Sequence, residues 1–482
     1  MSPVPVPEMG IAASAPPRTV VVLGVSYGGG HAAKLLASQL PQGWRAVAID
    51  RNSHMNHVYV FPRVTALPKL APKAFPPYTN LFKLPPAPEV EPEAGSPAFF
   101  QVTQKRGVTN GPHEFIHGEI TRLTPNKVFF RRPGETEDET LAFDYCIHAL
   151  GASLPAPCDV WSDNEASGTK KGAMSWMQRQ HGVIERAQRV LVVGGGALGI
   201  QFSSDIKDIW PDKEVTMLHS RKRVLPRYPQ EMHDAAINGL EALGVRVVLG
   251  QRVVHWPASN AEGVEKVVTT DKGETFIADL VLPCTGTKPH SALMAAMDTH
   301  TVNPTNGRIA VRSTMQVRRF DVAHEMAGLS VDDKTIEEGS DADLDHMFAI
   351  GDSADTSAIQ AGHVSFYQGV VAVNNIIKMI ERENKVLANG TLSNGCAPVA
   401  LEDYTPTPPM LKLTLGLKHY ATAMPDGVTT ADDGEDDLHA RLMCGAPIMP
   451  TTCQTTLSAH NLPLYLYRSG QACMWYTAEA LL

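Results

Sequence analysis

Two stretches decide the fold of this chain: Thr19-Val-Val-Val-Leu-Gly24-Val-Ser26-Tyr-Gly28-Gly29 and Arg189-Val-Leu-Val-Val-Gly194-Gly-Gly196-Ala-Leu-Gly199. Each begins as an apolar run typical of a buried strand, passes through a glycine-rich turn and continues into a helical pattern. Such a unit brings backbone N–H groups and a helix N-terminus to a pyrophosphate. One loop of this kind is a weak signal, but two in one chain predict two bound dinucleotides.

Two carboxylates support this interpretation. The strand that follows the first loop, Arg45-Ala-Val-Ala-Ile-Asp50, ends in an acid that can accept hydrogen bonds from both ribose hydroxyls of an adenosine moiety. A third motif, Met347-Phe-Ala-Ile-Gly351-Asp352, follows the second loop and is predicted to be a strand that ends in a turn. The order of the three motifs predicts hydride transfer between the two dinucleotides.

The bulk properties narrow the class of protein. A length of 482 residues suits two or three domains. The net charge of −9 argues against nucleic acid as a partner, because phosphate binding needs a basic surface. The seven cysteines include no Cys-x-x-Cys pair, so we expect neither a metal site nor thioredoxin-like chemistry. Their scatter favours a reducing, intracellular setting.

The N-terminal residues and the lengths of the apolar runs bear on where the protein is located. Residues 1–17 are rich in proline and alanine and are predicted to be a disordered leader without the features of a signal or transit peptide. No apolar run reaches the roughly 18 residues of a membrane span. We expect a cytoplasmic protein and leave open peripheral contact with membranes or lipid surfaces. The oligomeric state also stays open.

Periodicity predicts the remaining elements. Helices are expected over 172–186 and 364–380, and a strand is expected over 411–417. The proline-rich stretch 62–112 is hard to assign and is expected to contain irregular crossing loop. An acidic, weakly hydrophobic insertion at 321–345 is expected to be an exposed loop.

The layout resembles the flavoprotein superfamily that holds two dinucleotides. Within it, the chain is most similar to the apoptosis-inducing-factor-like group, which includes the ferroptosis-suppressor quinone reductases. The likeness runs from about Arg18 to Met443. Four strings carry it: Asn52-Ser-His54-Met-Asn-His57 leading to Phe61-Pro-Arg63, Gly194 to Gln201, Asp212 to Ser220, and Gly351-Asp352-Ser-Ala-Asp355.

The resemblance implies an α/β fold of two Rossmann-like domains, glutathione-reductase-like, with a small C-terminal region. An FAD-binding domain would occupy 18–155 and 290–390, an NAD(P)-binding domain 156–289, and the C-terminal region with its atypical tail 391–482. The implied FAD-binding residues are Gly24, Ser26, Gly28, Gly29, Asp50, Arg63, Ile120, Gly151 and Asp352. The implied residues for NADH or NADPH are Gly194, Gly196, Gly199, His219, Arg221 and Gly286. Arg63 would lie near the flavin and Ile120 near the adenine. Electrons would pass from nicotinamide C4 to flavin N5 and then to a quinone-like acceptor.

Three positions depart from the pattern of the family. Ser26 replaces the middle glycine of the first loop, and its hydroxyl can donate to a phosphate. Gln201 stands where many relatives have glutamate, which puts in doubt a carboxylate near the nicotinamide. His219 occupies the position of the acid that selects NADH, and Arg221, Lys222 and Arg223 follow it. Because arginine can bind a phosphate through two hydrogen bonds, we predict that NADPH is accepted at least as well as NADH.

The sequence does not identify a catalytic residue. Hydride transfer needs no side-chain acid or base, because the cofactors carry the chemistry. Gln360 and His363 are weak candidates on or beside the helix after Asp352. The first domain offers only Cys146 and Cys158, whose spacing does not fit a disulfide reductase. The alternative to an enzyme is a redox-signalling or cell-death effector that binds NAD(P)H and turns over slowly. A DNA-binding effector is disfavoured by the net charge.

Overall fold

The computed structural model describes residues 16–83, 111–162, 168–320, 342–389, 400–435 and 438. The expected leader up to Ala15, most of the acidic insertion and the tail after Leu438 lie outside these ranges. Within them the fold is α/β, with two parallel sheets.

The first sheet has five parallel strands, and its central strand is completely buried from Val20 to Leu23. Its spatial order is β3 (Glu114–His117), β2 (Trp44–Asp50), β1 (Arg18–Leu23), β7 (Tyr145–His148) and β18 (Met347–Ala349). Helix α1 (Gly28–Gln39) follows β1 directly and packs against the long helix α8 (Gly362–Asn389). Strands β2 and β3 lie on one side of β1, and the later strands β7 and β18 lie on the other. In open α/β sheets, ligands bind at the point where the strand order changes side in this way.

The second sheet repeats this plan with four parallel strands. Its spatial order is β11 (Arg246–Leu249), β10 (Glu214–His219), β9 (Arg189–Val193) and β15 (Leu280–Pro283). Its helices are α4 (Lys170–Arg186), which Thr169 caps by accepting from the Gly172 amide, α5 (Ala197–Ile209) and α6 (Gln230–Ala242).

Alternate residues of β9 face opposite sides of the second sheet, as the two-residue period of a strand requires. Val190 and Val192 join the large apolar cluster that includes the helices, whereas Leu191 and Val193 join a smaller cluster. The smaller cluster includes an antiparallel sheet of β12 (Val253–His255), β13 (Lys266–Thr270) and β14 (Thr275–Ala278). Both faces of the parallel sheet are therefore covered.

Short elements connect the two sheets. The chain passes between them at two adjacent points, where β8 (Ala152–Ser153) pairs with β16 (Lys288–Pro289). The other elements near the first sheet are β4 (Glu119–Thr124), β5 (Lys127–Arg131), β6 (Glu139–Ala142), α7 (Ala292–Met297), β17 (Ile309–Ala310) and β19 (Ala354–Asp355).

The proline-rich stretch 62–112, which was hard to assign from the sequence, is helical at its start, and its residues 84–110 lie outside the described ranges. It forms α2 (Phe61–Ala66) and α3 (Ala71–Ala74), and each has a proline in its first turn. Proline is favoured there, because its fixed φ suits a helix and its missing N–H would have no partner within the helix. These helices pack on α4, and α2 also contacts α5.

The C-terminal region adds a three-stranded antiparallel sheet. Its strands are β20 (Leu411–Thr414), β21 (Tyr420–Met424) and β22 (Gly427–Ala431). It packs on α5 and α6, and buried Leu413 and Leu415 extend the apolar cluster of the second unit, which is the second sheet with its helices; the first sheet with its helices is the first unit. In the described part of the chain, no helix has the length and apolar character needed to cross a membrane.

Candidate functional site

A cleft of about 850 Å³ is lined by residues of both glycine-rich loops. This volume lies within the usual range for cofactor sites. Eleven of the predicted site residues line it: Gly24, Ser26, Gly28, Gly29, Asp50, Ile120, Gly151, Gly196, Gly286, Asp352 and Gln360. The remaining predicted residues do not line it: Arg63, Gly194, Gly199, His219, Arg221 and His363.

The first loop is shaped by contacts that only glycine allows. Gly24 has a φ of +89°, and a Cβ on Gly29 would lie 1.9 Å from the Gly24 carbonyl oxygen. Helix α1 therefore begins in direct contact with the end of β1. This contact places the N-terminal amides of the helix at the edge of the cleft.

The carboxylate of Asp50 fastens the same loop. Its Oδ2 accepts a hydrogen bond from the Val25 amide at 2.8 Å, and its Oδ1 accepts from the Asn52 amide at 2.8 Å. Burial raises the pKa of Asp50, while the bonds from Asn52 and Val25 act in the opposite direction. Asp50 still borders the cleft, so the acid expected to meet a ribose also holds the loop that would meet the pyrophosphate.

Ser26, the departure in the first loop, has a side-chain partner. Its Oγ lies 3.1 Å from the hydroxyl of Tyr78, a buried residue that does not line the cleft. The hydroxyl is thus held beside the loop while the residue still borders the cleft. This bond provides a physical reason why serine is tolerated at the middle position.

The second loop repeats the tight contact, because a Cβ on Gly199 would lie 1.9 Å from the Gly194 carbonyl oxygen. Gly194 and Gly199 shape the turn without lining the cleft, whereas Gly196 lines it. His219 is buried, and its Nδ1 accepts a hydrogen bond from the Gly195 amide at 3.0 Å. The ring proton therefore sits on Nε2, and burial lowers the pKa of His219, which keeps the ring neutral.

Arg221 is exposed and follows β10 by two residues. Its carbonyl oxygen accepts from the Gly250 amide at 2.9 Å, which fixes the backbone of the basic loop. Asp352, in contrast, borders the cleft directly. Burial raises the pKa of Asp352, although the positive charge of Arg308 acts in the opposite direction. Arg308 Nε also donates to the backbone carbonyl oxygen of Asp352 at 3.3 Å.

Arg63 requires a correction, because the resemblance implied a position near the flavin. The residue lies on α2 with no exposed surface, and its Nη2 donates to Asp205 Oδ1 at 3.0 Å and to the Gly416 carbonyl oxygen at 2.7 Å. It thus joins α2 to α5 and to the turn that follows β20. A buried guanidinium needs such partners to compensate for lost hydration, and they direct it away from the cleft.

The two weak catalytic candidates are separated by the fold. Gln360 is exposed and borders the cleft, and its Nε2 lies 3.5 Å from the Ala358 carbonyl oxygen. His363 is half-buried on α8 and does not border the cleft, and burial lowers its pKa. Gln201 borders the cleft as an amide, with its Nε2 donating to Thr414 of the C-terminal sheet at 3.1 Å.

Several cleft residues were not found from the sequence. Trp161 donates from Nε1 to Asn52 Oδ1 at 3.0 Å, and the guanidinium of Arg51 lies 4.2 Å from the Trp161 ring centroid. Tyr59 lines the cleft beside the start of α8. These residues carry no local motif, and their partners lie far away along the chain.

Two cysteines also line the cleft. Cys158 follows β8, and Cys284 directly follows β15. Burial raises the pKa of both thiols, so both remain protonated at neutral pH. The described residues contain no group of three or more His, Cys, Asp or Glu side chains placed to hold a metal ion.

The lining of the cleft fits two elongated cofactors. A Cβ added to Gly151, Gly196 or Gly286 would have no protein atom within 4 Å, so these backbones face open space in the cleft. Ligand atoms can approach such backbone amides closely. With Asp50 and Asp352 at the first sheet, the residues present suit FAD there and a nicotinamide dinucleotide at the second sheet.

Comparison with known proteins agrees with this geometry. Residues 18–369 match the family described as pyridine nucleotide-disulphide oxidoreductase. Fe-regulated protein 8 of Mycosarcoma maydis is 31% identical over 437 residues, which cover 88% of this chain and 94% of that protein. Mouse ferroptosis suppressor protein 1 is 29% identical over 269 residues, which cover 53% of this chain and 62% of that protein.

A solved structure, that of NDH2 from Plasmodium falciparum in complex with NADH, shares the fold with a TM-score of 0.58 at 11% identity. The alignment covers 92% of this chain and 95% of that one. The expected α/β fold and the resemblance to the ferroptosis-suppressor group are thereby confirmed. The chain belongs to the pyridine nucleotide-disulphide oxidoreductase family, as an NAD(P)H-dependent flavin oxidoreductase whose cofactors are FAD and NADH or NADPH.

Proposed function

We propose that the protein oxidises NAD(P)H through FAD and delivers the electrons to a quinone. The observation that carries this proposal is the single cleft bordered by both nucleotide loops. A shared cleft lets the two dinucleotides meet, and FAD supplies the two-electron relay when bound. The contribution of the protein is then distance and orientation, which form a large part of the catalysis of such a transfer.

The chain would hold each cofactor by a distinct set of residues. At the first sheet, the loop at Gly24–Gly29 would bind the pyrophosphate of FAD, Asp50 its ribose, and Asp352 its ribityl region. At the second sheet, Gly196 and the start of α5 would bind the pyrophosphate of NAD(P)H. Gly286, at the end of β15, would border its nicotinamide half.

Two features support a quinone in preference to a disulfide as the acceptor. The thiols at the cleft, Cys158 and Cys284, have raised pKa values and are therefore poor nucleophiles for thiol–disulfide exchange. The cleft wall near α8 also offers apolar and aromatic surface from Val58, Tyr59 and Ala361. A flat ring with two carbonyl groups suits such a surface better than a peptide does.

Stopped-flow spectroscopy tests the proposal. Holoenzyme is reduced anaerobically with one equivalent of NADPH and then mixed with a series of benzoquinones and naphthoquinones. The account predicts rapid return of the oxidised flavin spectrum, with quinol formed in equal amount. A reduced protein that persists in the presence of every quinone would instead support the slow redox-signalling effector.

A further inference from the structure

Tyr59 occupies an unusual place in the cleft. It lies in a short 3-10 turn, Val58–Val60, and 39% of its surface is exposed. Its hydroxyl oxygen accepts a hydrogen bond from the amide of Gly362, the first residue of α8. Its ring stacks edge-on against Tyr27, with centroids 5.2 Å apart. The phenol is thus held at the cleft by backbone and by ring packing.

The hydroxyl hydrogen of Tyr59 is available for a ligand. A phenol carries one hydrogen to donate as well as lone pairs to accept, and the Gly362 amide uses only a lone pair. Within the described ranges, no acceptor takes the Tyr59 hydrogen. The neighbouring phenols differ, because Tyr27 is bonded to His57 Nδ1 at 3.0 Å and Tyr78 to Ser26 Oγ at 3.1 Å.

The start of α8 and burial act in opposite directions on the Tyr59 phenol. Helix α8 has 28 residues, and its N-terminus carries partial positive charge from the aligned peptide dipoles. The Gly362 amide lowers the pKa of Tyr59, but burial outweighs it and raises that pKa, so the phenol keeps its proton at neutral pH until an acceptor takes it. Partial exposure of Tyr59 lets water return the proton.

We propose that Tyr59 is the catalytic residue that protonates the quinone acceptor. This inference rests on the function proposed above. The overall reaction, NAD(P)H + quinone + H⁺ → NAD(P)⁺ + quinol, needs two electrons and two protons at the acceptor. The hydride of NAD(P)H accounts for both electrons and one proton. The Tyr59 hydroxyl gives the second proton to a quinone oxygen, and water restores it.

Tyr59 serves only the second half of the turnover. It comes from the first unit and is bonded to α8, whereas Gly196 and Gly286 belong to the second unit that binds NAD(P)H. Reduction of the flavin therefore does not require the phenol. Oxidation by an acceptor that takes no proton does not require it either. These two expectations separate a proton donor from a residue that merely supports the fold.

The test compares Tyr59→Phe with Tyr367→Phe, which removes a phenol on α8 that does not line the cleft. Holoenzyme of each is studied anaerobically in two separate half-reactions. For Tyr59→Phe we expect NADPH to reduce the flavin at the wild-type rate. We expect oxidation by 1,4-benzoquinone to slow at least ten-fold, because a positioned acid is lost. Oxidation by ferricyanide, which takes electrons alone, should be unchanged, and Tyr367→Phe should match wild type throughout.

Ligand binding gives a second measurement that does not depend on turnover. Chromone is a planar aromatic ketone that does not accept hydride from a flavin. Calorimetric titration should show that Tyr59→Phe weakens its binding by roughly two- to ten-fold, since one hydrogen bond is lost.

The outcomes separate the two proposals. If wild type reduces benzoquinone and Tyr59→Phe does so equally fast, the assignment of Tyr59 is wrong and the quinone function stands. If ferricyanide and benzoquinone oxidation slow by the same factor, Tyr59 is structural and the assignment is also wrong. If wild-type flavin is reduced by NADPH but no quinone reoxidises it, the proposed function itself fails.

Discussion

The two nucleotide loops share their geometry but differ in their chemistry. In both, a Cβ on the last glycine would lie 1.9 Å from the carbonyl oxygen of the first glycine. In both, the amide after the first glycine donates to the side chain that ends the next strand. In the first loop that acceptor is Asp50 Oδ2, and in the second it is His219 Nδ1. The first site thus presents a carboxylate, and the second a neutral imidazole.

This difference separates the contacts that the fold requires from the side-chain charge that decides which nucleotide binds. The strand–helix contact fixes the turn, and any acceptor at the end of the second strand can hold the following amide. The charge of that acceptor is then free to vary with the nucleotide. A carboxylate favours two ribose hydroxyls and repels a 2′-phosphate, whereas an imidazole followed by Arg221 tolerates one. We therefore expect the two halves of the chain to share one framework and to differ in sugar specificity.

The largest expected effect comes from breaking each loop in turn. In Gly29→Ala the new Cβ meets backbone in the first loop alone. We expect this variant to lack flavin colour and still to bind NADPH in calorimetry. Gly199→Ala should remain yellow and lose NADPH binding. Each variant serves as the control for the other. Loss of both cofactors in either variant would contradict the independence of the two loops.

The next effect concerns the buried ion pair between Arg63 on α2 and Asp205 on α5. Arg63→Met leaves a carboxylate buried without its cation, so the free energy of unfolding in urea should fall by about 3–5 kcal/mol. Adding Asp205→Asn should restore part of that loss. The exposed pair formed by Arg186 and Glu262 is the control, and Arg186→Met should change little.

The flavin spectrum of Arg63→Met should keep the wild-type shape, because Arg63 does not border the cleft. A shifted flavin spectrum at unchanged stability would return Arg63 to the position that the family resemblance implied.

The preference for NADPH or NADH tests the chemistry of the second loop. Arg221→Ala should weaken NADPH by about ten-fold and leave NADH nearly unchanged, because a charge-assisted bond to the 2′-phosphate is lost. His219→Asp should shift preference toward NADH, since a carboxylate can still accept from the Gly195 amide. Steady-state KM values for both nucleotides measure each effect, with Arg252→Ala as an exposed control. Equal effects of Arg221→Ala on both nucleotides would show that the basic loop does not contact the phosphate.

The smallest effect is expected at the cysteines. A variant with Cys146, Cys158 and Cys284 all changed to serine should keep most of its NAD(P)H–quinone activity, because the raised thiol pKa values disfavour reactive thiolates. Activity and flavin content are measured together on the same preparation. Complete loss of activity with flavin still bound would give the thiols at the cleft a role in turnover.

Local patterns predicted the framework well. The apolar runs before Gly24 and Gly194 became the central strands of two parallel sheets, and Asp50 and Asp352 both border the cleft. These features are encoded by adjacent residues, since strand burial and tight turns are short-range constraints. The helix over 364–380 was also found, although it extends to Gly362–Asn389.

Features that depend on distant partners could not be predicted. Arg63 is fixed by Asp205 and by the carbonyl of Gly416, which lie far along the chain. Tyr59 gains its role from the Gly362 amide, about 300 residues later. The sequence showed that His219 lacks a negative charge, but only the folded chain shows that its ring accepts from the Gly195 amide.

Anaerobic titration of the purified holoenzyme with NADPH tests whether one cleft brings FAD and NAD(P)H together. We predict a yellow protein whose flavin bands bleach in proportion to added NADPH, complete at one equivalent per bound FAD. Gly199→Ala should remain oxidised under the same titration. A colourless wild-type protein that takes up no FAD, or a bound flavin that neither nucleotide reduces, would contradict the account.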